Sequence, residues 1–192
     1  MKIQSYKKLF TFWFSVIIYD QTVEFSKKWI KSWKLKEQMD GAARSGKQNI
    51  VEGCDGMETS LKTAIKLCGV AKHSIEELVG DYEDFLRQRS LKKWKKDDSG
   101  IVRFRNESSG LIKNLSYLGS LGEEEKALDL LSKVKLPDVP ETAANWLLTL
   151  CHQQTFLLHR QVESLKKKHE QEGGLTEKLY RKRKEFRDKA LK

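Results

Sequence analysis

The cleanest hydrophobic pattern in the chain is Leu61, Ala64, Cys68, Ala71, Ile75, Leu78, Tyr82 and Phe85, spaced alternately by three and four residues. A seam at period 3.5 marks left-handed helix packing and predicts a helix over 61–85 set in a bundle rather than in globin-like crossings. Thr59 or Ser60 supplies its N-cap. Upstream, Leu9, Phe12 or Trp13, Val16 or Ile17, Val23, Ile30 and Trp33 recur at helical spacing with no proline or glycine between them, which predicts one long helix over 6–33. A second helix follows over 35–53. Its stripe, Met39, Ala43, Gly46, Ile50 and Gly53, is made mainly of small residues. Glycine inside a helix costs on the order of 1 kcal/mol against alanine, a cost that close approach of a neighbouring helix offsets. Gly53, Cys54, Asp55 and Gly56 read as a turn.

The pattern loses its regularity over 89–140, where Asp97-Asp98-Ser99-Gly100 and Gly110, Gly119 and Gly122 interrupt it. This stretch is expected to be an insertion of short helices and loops, with a short helix over 123–134. Both prolines of the chain, Pro137 and Pro140, close it. A fourth long helix over 141–172 carries Leu147, Cys151, Leu158, Val162 and Leu165, and ends at Gly173-Gly174. A last helix over 176–191 has Leu179, Phe186 and Ala190 on one side and a basic remainder. No strand pattern or solenoid repeat is present. The expected architecture is therefore all-α, an up-down four-helix bundle in one domain. Residues 1–88 supply three helices, 89–140 the insertion, 141–172 the fourth helix and 173–192 a basic C-terminal helix.

Composition narrows the class. Three cysteines in 192 residues form no disulfide framework. The most apolar run, Phe10 to Tyr19, is ten residues long, and a membrane span needs about 20. Lys7 and Lys8 before it resemble a signal-peptide start, but no small-residue cleavage pattern follows. A reducing, cytoplasmic setting without membrane attachment is expected.

Motifs in two of the predicted helices are familiar. In Ala42-Ala43-Arg44-Ser45-Gly46-Lys47-Gln48-Asn49-Ile50-Val51-Glu52-Gly53, the residues Ser45, Asn49, Ile50, Glu52 and Gly53 follow an Ala-rich turn, Ser, then Asn-Ile-x-Glu-Gly. The third helix adds Leu67, Val70, Ala71, Ser74, Glu76, Glu77 and Leu78. Together they resemble the "four helix bundle protein" family. It is also called S23-like, after small proteins encoded in intervening sequences of bacterial 23S ribosomal RNA genes. His73 departs from the family's usual glycine. Asn145-Trp146-Leu147-Leu148, His152-Gln153-Gln154, Leu157 to Gln161 and Glu172-Gly173-Gly174 resemble the C-terminal "suffix" extension of one branch. The resemblance spans roughly 5–88 and 141–187 and leaves the insertion aside. It implies an up-down bundle, assembly as a homo-pentameric ring, and no enzymatic activity. Relatives include the basic accessory protein of diversity-generating retroelements, which implies RNA or DNA and a protein such as a reverse transcriptase as partners. Ser45, Asn49, Glu52, Gly53, Ser74 and Glu77 are the motif residues.

Charge sharpens the functional reading. The formal net charge is +10, and the ends hold the excess: 1–40 carry +4 and 160–192 carry +6, while the middle sums to zero. Lys and Arg on phosphates release counterions, so these ends are a natural nucleic-acid contact. The candidates are Lys27, Lys28, Lys31, Lys34, Arg44 and Lys47 in the first half, and Lys178, Arg181, Lys182, Arg183, Lys184 and Arg187 in the tail. A merely solvated basic face is the competing reading. Trp94 within Lys92-Lys93-Trp94-Lys95-Lys96 either stacks a base or, on the preferred reading, anchors the insertion onto the bundle.

Catalytic and metal chemistry find little support. His152 and His159 share a helix face with only Glu141 among the acidic residues of 141–159, too few ligands for zinc. Cys151 beside His152 lacks a third orienting group. Glu76, Glu77, Asp81, Glu83 and Asp84 alternate with the apolar seam and read as a solvated or interface face rather than paired catalytic carboxylates. No cofactor is implied. The expected function is a non-enzymatic, oligomeric nucleic-acid adaptor. The alternative is a protein-interaction scaffold, suggested by the small-residue stripe, Trp29 and Trp33.

Overall fold

The computed structural model describes residues 5–57 and 60–190. Thr59, one of the two expected caps, and Leu191 lie outside them. Among the described residues every regular element is helical. A 3-10 turn at Ser5–Lys8 leads into α1 (Phe10–Trp29), α2 (Trp33–Gly56), α3 (Leu61–Gln88), α4 (Ser99–Leu121), α5 (Glu124–Ser132), α6 (Pro140–Glu172) and α7 (Leu175–Ala190).

The α3 seam is the spine of the core: all eight residues from Leu61 to Phe85 that define it are buried. Ser60 caps the helix by accepting from the Thr63 N–H. The small-residue stripe of α2 faces it. Gly46 abuts Ile75, and Gly53 abuts Leu67 and Cys68, so positions rising along α2 meet positions falling along α3. The two helices are antiparallel. The same reversal relates α1 to α2, where Ser26 donates to Asp40 and Lys47 lies over the Tyr19 ring. It also relates α1 to α6, where Trp146 donates to Gln21 and Gln154 to the Thr11 carbonyl. Leu61 and Cys68 pack with Leu165 in a small apolar cluster, and Gln161 donates to Cys68, which sets α6 antiparallel to α3. Phe25 meets Tyr82 and Phe85 edge-on across the centre.

Two expectations are corrected. The helix over 6–33 is broken: Ile30 closes α1, and Ser32 caps α2 by accepting from the Leu35 N–H. The chain turns there on a serine cap, with neither glycine nor proline to announce it. In turn α2 runs through the expected Gly53–Gly56 turn, because Gly53 is packed on Ala64, Leu67 and Cys68 of α3 and Gly56 meets Thr63, so the last helical turn has a packing partner.

The stretch 89–140 also differs. Its centre, α4, is 23 residues long, not a set of short helices. Gly110 has open space around it and does not interrupt the helix. Gly119 is where α4 crosses the backbone of Lys7, whose carbonyl a β-carbon at 119 would overlap. The Ser116 hydroxyl donates to the Lys8 carbonyl at 2.6 Å. Phe104 meets Trp146 edge-on, and the Ser108 hydroxyl donates to Gln153, so α4 lies along α6. No described helix is long and apolar enough to cross a membrane. The apolar run 10–19 is a core segment, with Trp13, Phe14, Ile17 and Ile18 buried.

Candidate nucleic-acid interface

The helix directions separate the candidate cations. Lys27, Lys28, Lys31 and Lys34 sit around the α1–α2 turn, beside the end of α3 and the start of α6. There Arg89 donates to the Trp29 carbonyl at 3.1 Å and Lys28 reaches Asp138 at 3.5 Å. Lys178, Arg181, Lys182, Arg183, Lys184 and Arg187 lie on α7, past the far end of the 33-residue α6. At a 1.5 Å rise per residue α6 is about 50 Å long, so the two clusters are not one surface.

The first cluster gains a run that charge counting did not assign to it. Lys92, Lys93, Lys95 and Lys96 follow the end of α3, and the run docks on the start of α6 through four bonds, one of them from the Asn145 amide to the Lys92 carbonyl at 2.9 Å. Glu141 accepts from the Lys92 N–H and the Trp94 indole, each at 2.9 Å, and Asn145 accepts from the Trp94 N–H at 2.8 Å. The bonds from the Lys92 N–H and the Trp94 indole hold the Glu141 carboxyl below its ordinary pKa. The run itself was visible in the sequence; its place beside residues sixty positions earlier was not.

Trp94 is anchored, as preferred from sequence. Its ring stacks on Phe104, with centroids 5.8 Å apart and planes 17° from parallel.

Several cations are already partnered. Lys28 pairs with Glu24 at 2.7 Å, and that bond raises its pKa above the ordinary lysine value. Arg87 pairs with Asp84, Lys93 with Glu83, and Lys178 with Glu172. Arg181 donates to the Glu172 carbonyl. Lys47 is half-buried with its ammonium 4.1 Å from the Tyr19 ring centre, and its charge partly offsets the desolvation that raises the Asp20 pKa. Arg44 is exposed midway along α2, apart from both clusters. Lys27, Lys31, Lys34, Lys92, Lys95 and Lys96 are exposed and make no ion pair among the described residues. On α7 the same holds for Lys182, Arg183, Lys184 and Arg187.

The motif residues play a packing part. Ser45 and Ser74 face each other across α2 and α3 with hydroxyls 3.0 Å apart, and Asn49 donates to the Ser45 carbonyl and hydroxyl. Gly53 brings α2 against Cys68. Glu52 and Glu77 are exposed on the outer faces.

Among the described residues, no three His, Cys, Asp or Glu side chains are grouped to hold a metal ion. Burial raises the Cys68 thiol to about 11, with Cys54 adding to the effect, and raises Cys151 further. Neither is a ready nucleophile.

No family model matches the chain, and neither a curated protein nor a solved structure matches it.

Proposed function

We propose that this protein is a non-enzymatic nucleic-acid adaptor built on an up-down four-helix bundle of α1, α2, α3 and α6. The antiparallel pairs around that core support the architecture. The observation that carries the function is that Lys27, Lys31 and Lys34 at the α1–α2 turn, and Lys92, Lys95 and Lys96 in the run after the adjoining end of α3, are exposed and without ion pairs among the described residues. A basic α7 reaches from the other end. Phosphate backbones of RNA or DNA fit such surfaces, and each neutralised phosphate adds to the salt dependence.

In keeping with the family resemblance, the adaptor acts in the cytoplasm as a homo-oligomer, a pentameric ring. A ring would repeat the basic end in every subunit and add weak contacts together. A protein such as a reverse transcriptase is its proposed protein partner.

Fluorescence anisotropy with single- and double-stranded RNA and DNA tests this reading. Binding at 50 mM salt should be tighter than about 1 mM and should fall steeply with salt. The combined Lys31→Gln, Lys34→Gln, Lys95→Gln and Lys96→Gln variant should lower the log–log slope by about one for each phosphate it no longer neutralises. Binding that ignores salt, or a variant that binds as the parent does, overturns it. Light scattering on the purified protein tests the ring.

The protein-scaffold alternative has its own support. Leu175, Leu179 and Phe186 stand exposed along one side of α7, and Trp33 is 70% exposed. A single protein retained after nuclease treatment of a lysate, with no nucleic-acid affinity in the anisotropy titration, favours the scaffold.

A further inference from the structure

A cavity of about 520 Å³ lies between the 92–97 loop, the start of α4 and the middle of α6. This is within the range of small-molecule sites, which are mostly apolar with a few placed polar groups. Its floor is Ile101 and Leu148, both buried, and Trp94 and Phe156 supply aromatic walls. No carboxylate lines it, whereas Lys93, Lys96 and Arg105 do.

The walls are held in place by groups whose polar capacity is already spent. Asn145 is 1% exposed; besides accepting from Trp94, its amide donates to the Lys92 and Glu141 carbonyls. Thr149 donates to the Asn145 carbonyl, and Gln153 is engaged by Ser108 and Ser109. Gly100 leaves room for the indole: a β-carbon there would stand 2.5 Å from it. The ammonium of Lys93 is paired with Glu83. Lys96 and Arg105 make no ion pair among the described residues, so positive charge is left over at the mouth of an apolar, pre-formed cavity.

We propose that this cavity binds a small organic anion, a flat apolar body against Trp94 and Phe156 with a carboxylate or phosphate held by Lys96 and Arg105. His152 at the rim fits the same sign of field. Burial first, then Lys93 and Arg105, hold its pKa below the ordinary histidine value against the opposing pull of Glu83. A bound anion would raise it. The site shares Lys96 with the basic run 92–96, but Trp94, Arg105 and Phe156 belong to no part of the proposed nucleic-acid surface, so the Arg105→Gln and Phe156→Ala variants test it independently.

The test is calorimetric titration of the full chain with naphthyl phosphate, naphthoate and neutral naphthamide. At least one anion should bind with a Kd below about 1 mM and about tenfold tighter than the amide. Arg105→Gln and Phe156→Ala should each weaken it about tenfold, the effect of one charged hydrogen bond or one aromatic wall. Arg105 is half-exposed and Phe156 exposed, so both variants should keep the parent's circular dichroism and Tm. In the parent, the His152 ring proton should titrate at higher pH with the anion present. The tighter of phosphate and carboxylate identifies the headgroup. Absence of binding by both anions, equal binding of the amide, or an Arg105→Gln variant that binds as the parent does overturns the proposal.

Discussion

The Ile75 Cδ1 lies 2.8 Å from where a β-carbon would stand on Gly46, so the Ile75 side chain of α3 occupies the space that the missing side chain on α2 leaves. Gly46→Leu forces volume into that contact and should cost about 1–3 kcal/mol. Gly46→Ala sets about 1 kcal/mol of helix propensity against the displacement of Ile75. Ile75→Val removes the offending methyl. The double variant Gly46→Ala, Ile75→Val should therefore be more stable than the sum of the singles by about 0.5 kcal/mol or more. Urea denaturation of the four proteins measures the coupling, and additivity would disprove the close contact.

Tyr82 is fully buried, and its hydroxyl lies 2.7 Å from that of Thr22. The Thr22 hydroxyl donates to the Ile18 carbonyl, so Tyr82 is the donor between them. The two deletions are therefore unequal. Tyr82→Phe removes a donor and leaves Thr22 with its bond to Ile18, costing about 1 kcal/mol. Thr22→Val strands the Tyr82 hydroxyl in the core and should cost more, about 1–3 kcal/mol. Chemical denaturation should rank Thr22→Val as the more damaging; the reverse order would show that Tyr82 has another acceptor.

Acid should loosen the 92–97 loop before it unfolds the bundle. The bonds from Lys92 and Trp94 depress the Glu141 pKa below its ordinary 4.5. Their stabilisation is fully present above pH 4.5 and is lost as pH falls through the depressed value. The Trp94 indole N–H resonance, assigned with Trp94→Phe, should shift and exchange faster as pH falls through that window. In Glu141→Gln this pH dependence should vanish. A Trp94 signal unchanged down to global unfolding would contradict the docking.

Cys54, Cys68 and Cys151 are all buried. With Cys68 raised to about 11, roughly one thiol in a thousand is ionised at pH 8. A thiol-reactive chromogenic disulfide at pH 8 should label the native protein slowly and all three sites promptly in urea. Prompt labelling of one cysteine without denaturant would show that its helix contact opens.

Much of the core was legible in the order of residues alone. The α3 seam and the α2 stripe are buried at every position that their spacing named, because a helix presents one face at 3.5–3.6 residues per turn whatever it packs against. The break at Ile30–Ser32 was not legible: the apolar stripe continues through it, and a serine cap is a weaker signal than proline or glycine. The length of α4 was hidden for the opposite reason. Gly110 and Gly119 look like breakers, yet one faces open space and the other marks a crossing over Lys7.

The sequence by itself determined the helical class, the buried faces of α2 and α3, and the excess of charge at both ends of the chain. These are local properties, fixed by spacing and composition. Only the tertiary structure decided which charges share a surface. It ties the end of α3 to the α1–α2 turn through Arg89 and Trp29, places α7 about 50 Å away along α6, and closes an apolar cavity around Trp94 with Asn145. Those relations depend on helix direction and on single hydrogen bonds between residues some fifty positions apart, and no periodicity along the chain encodes them.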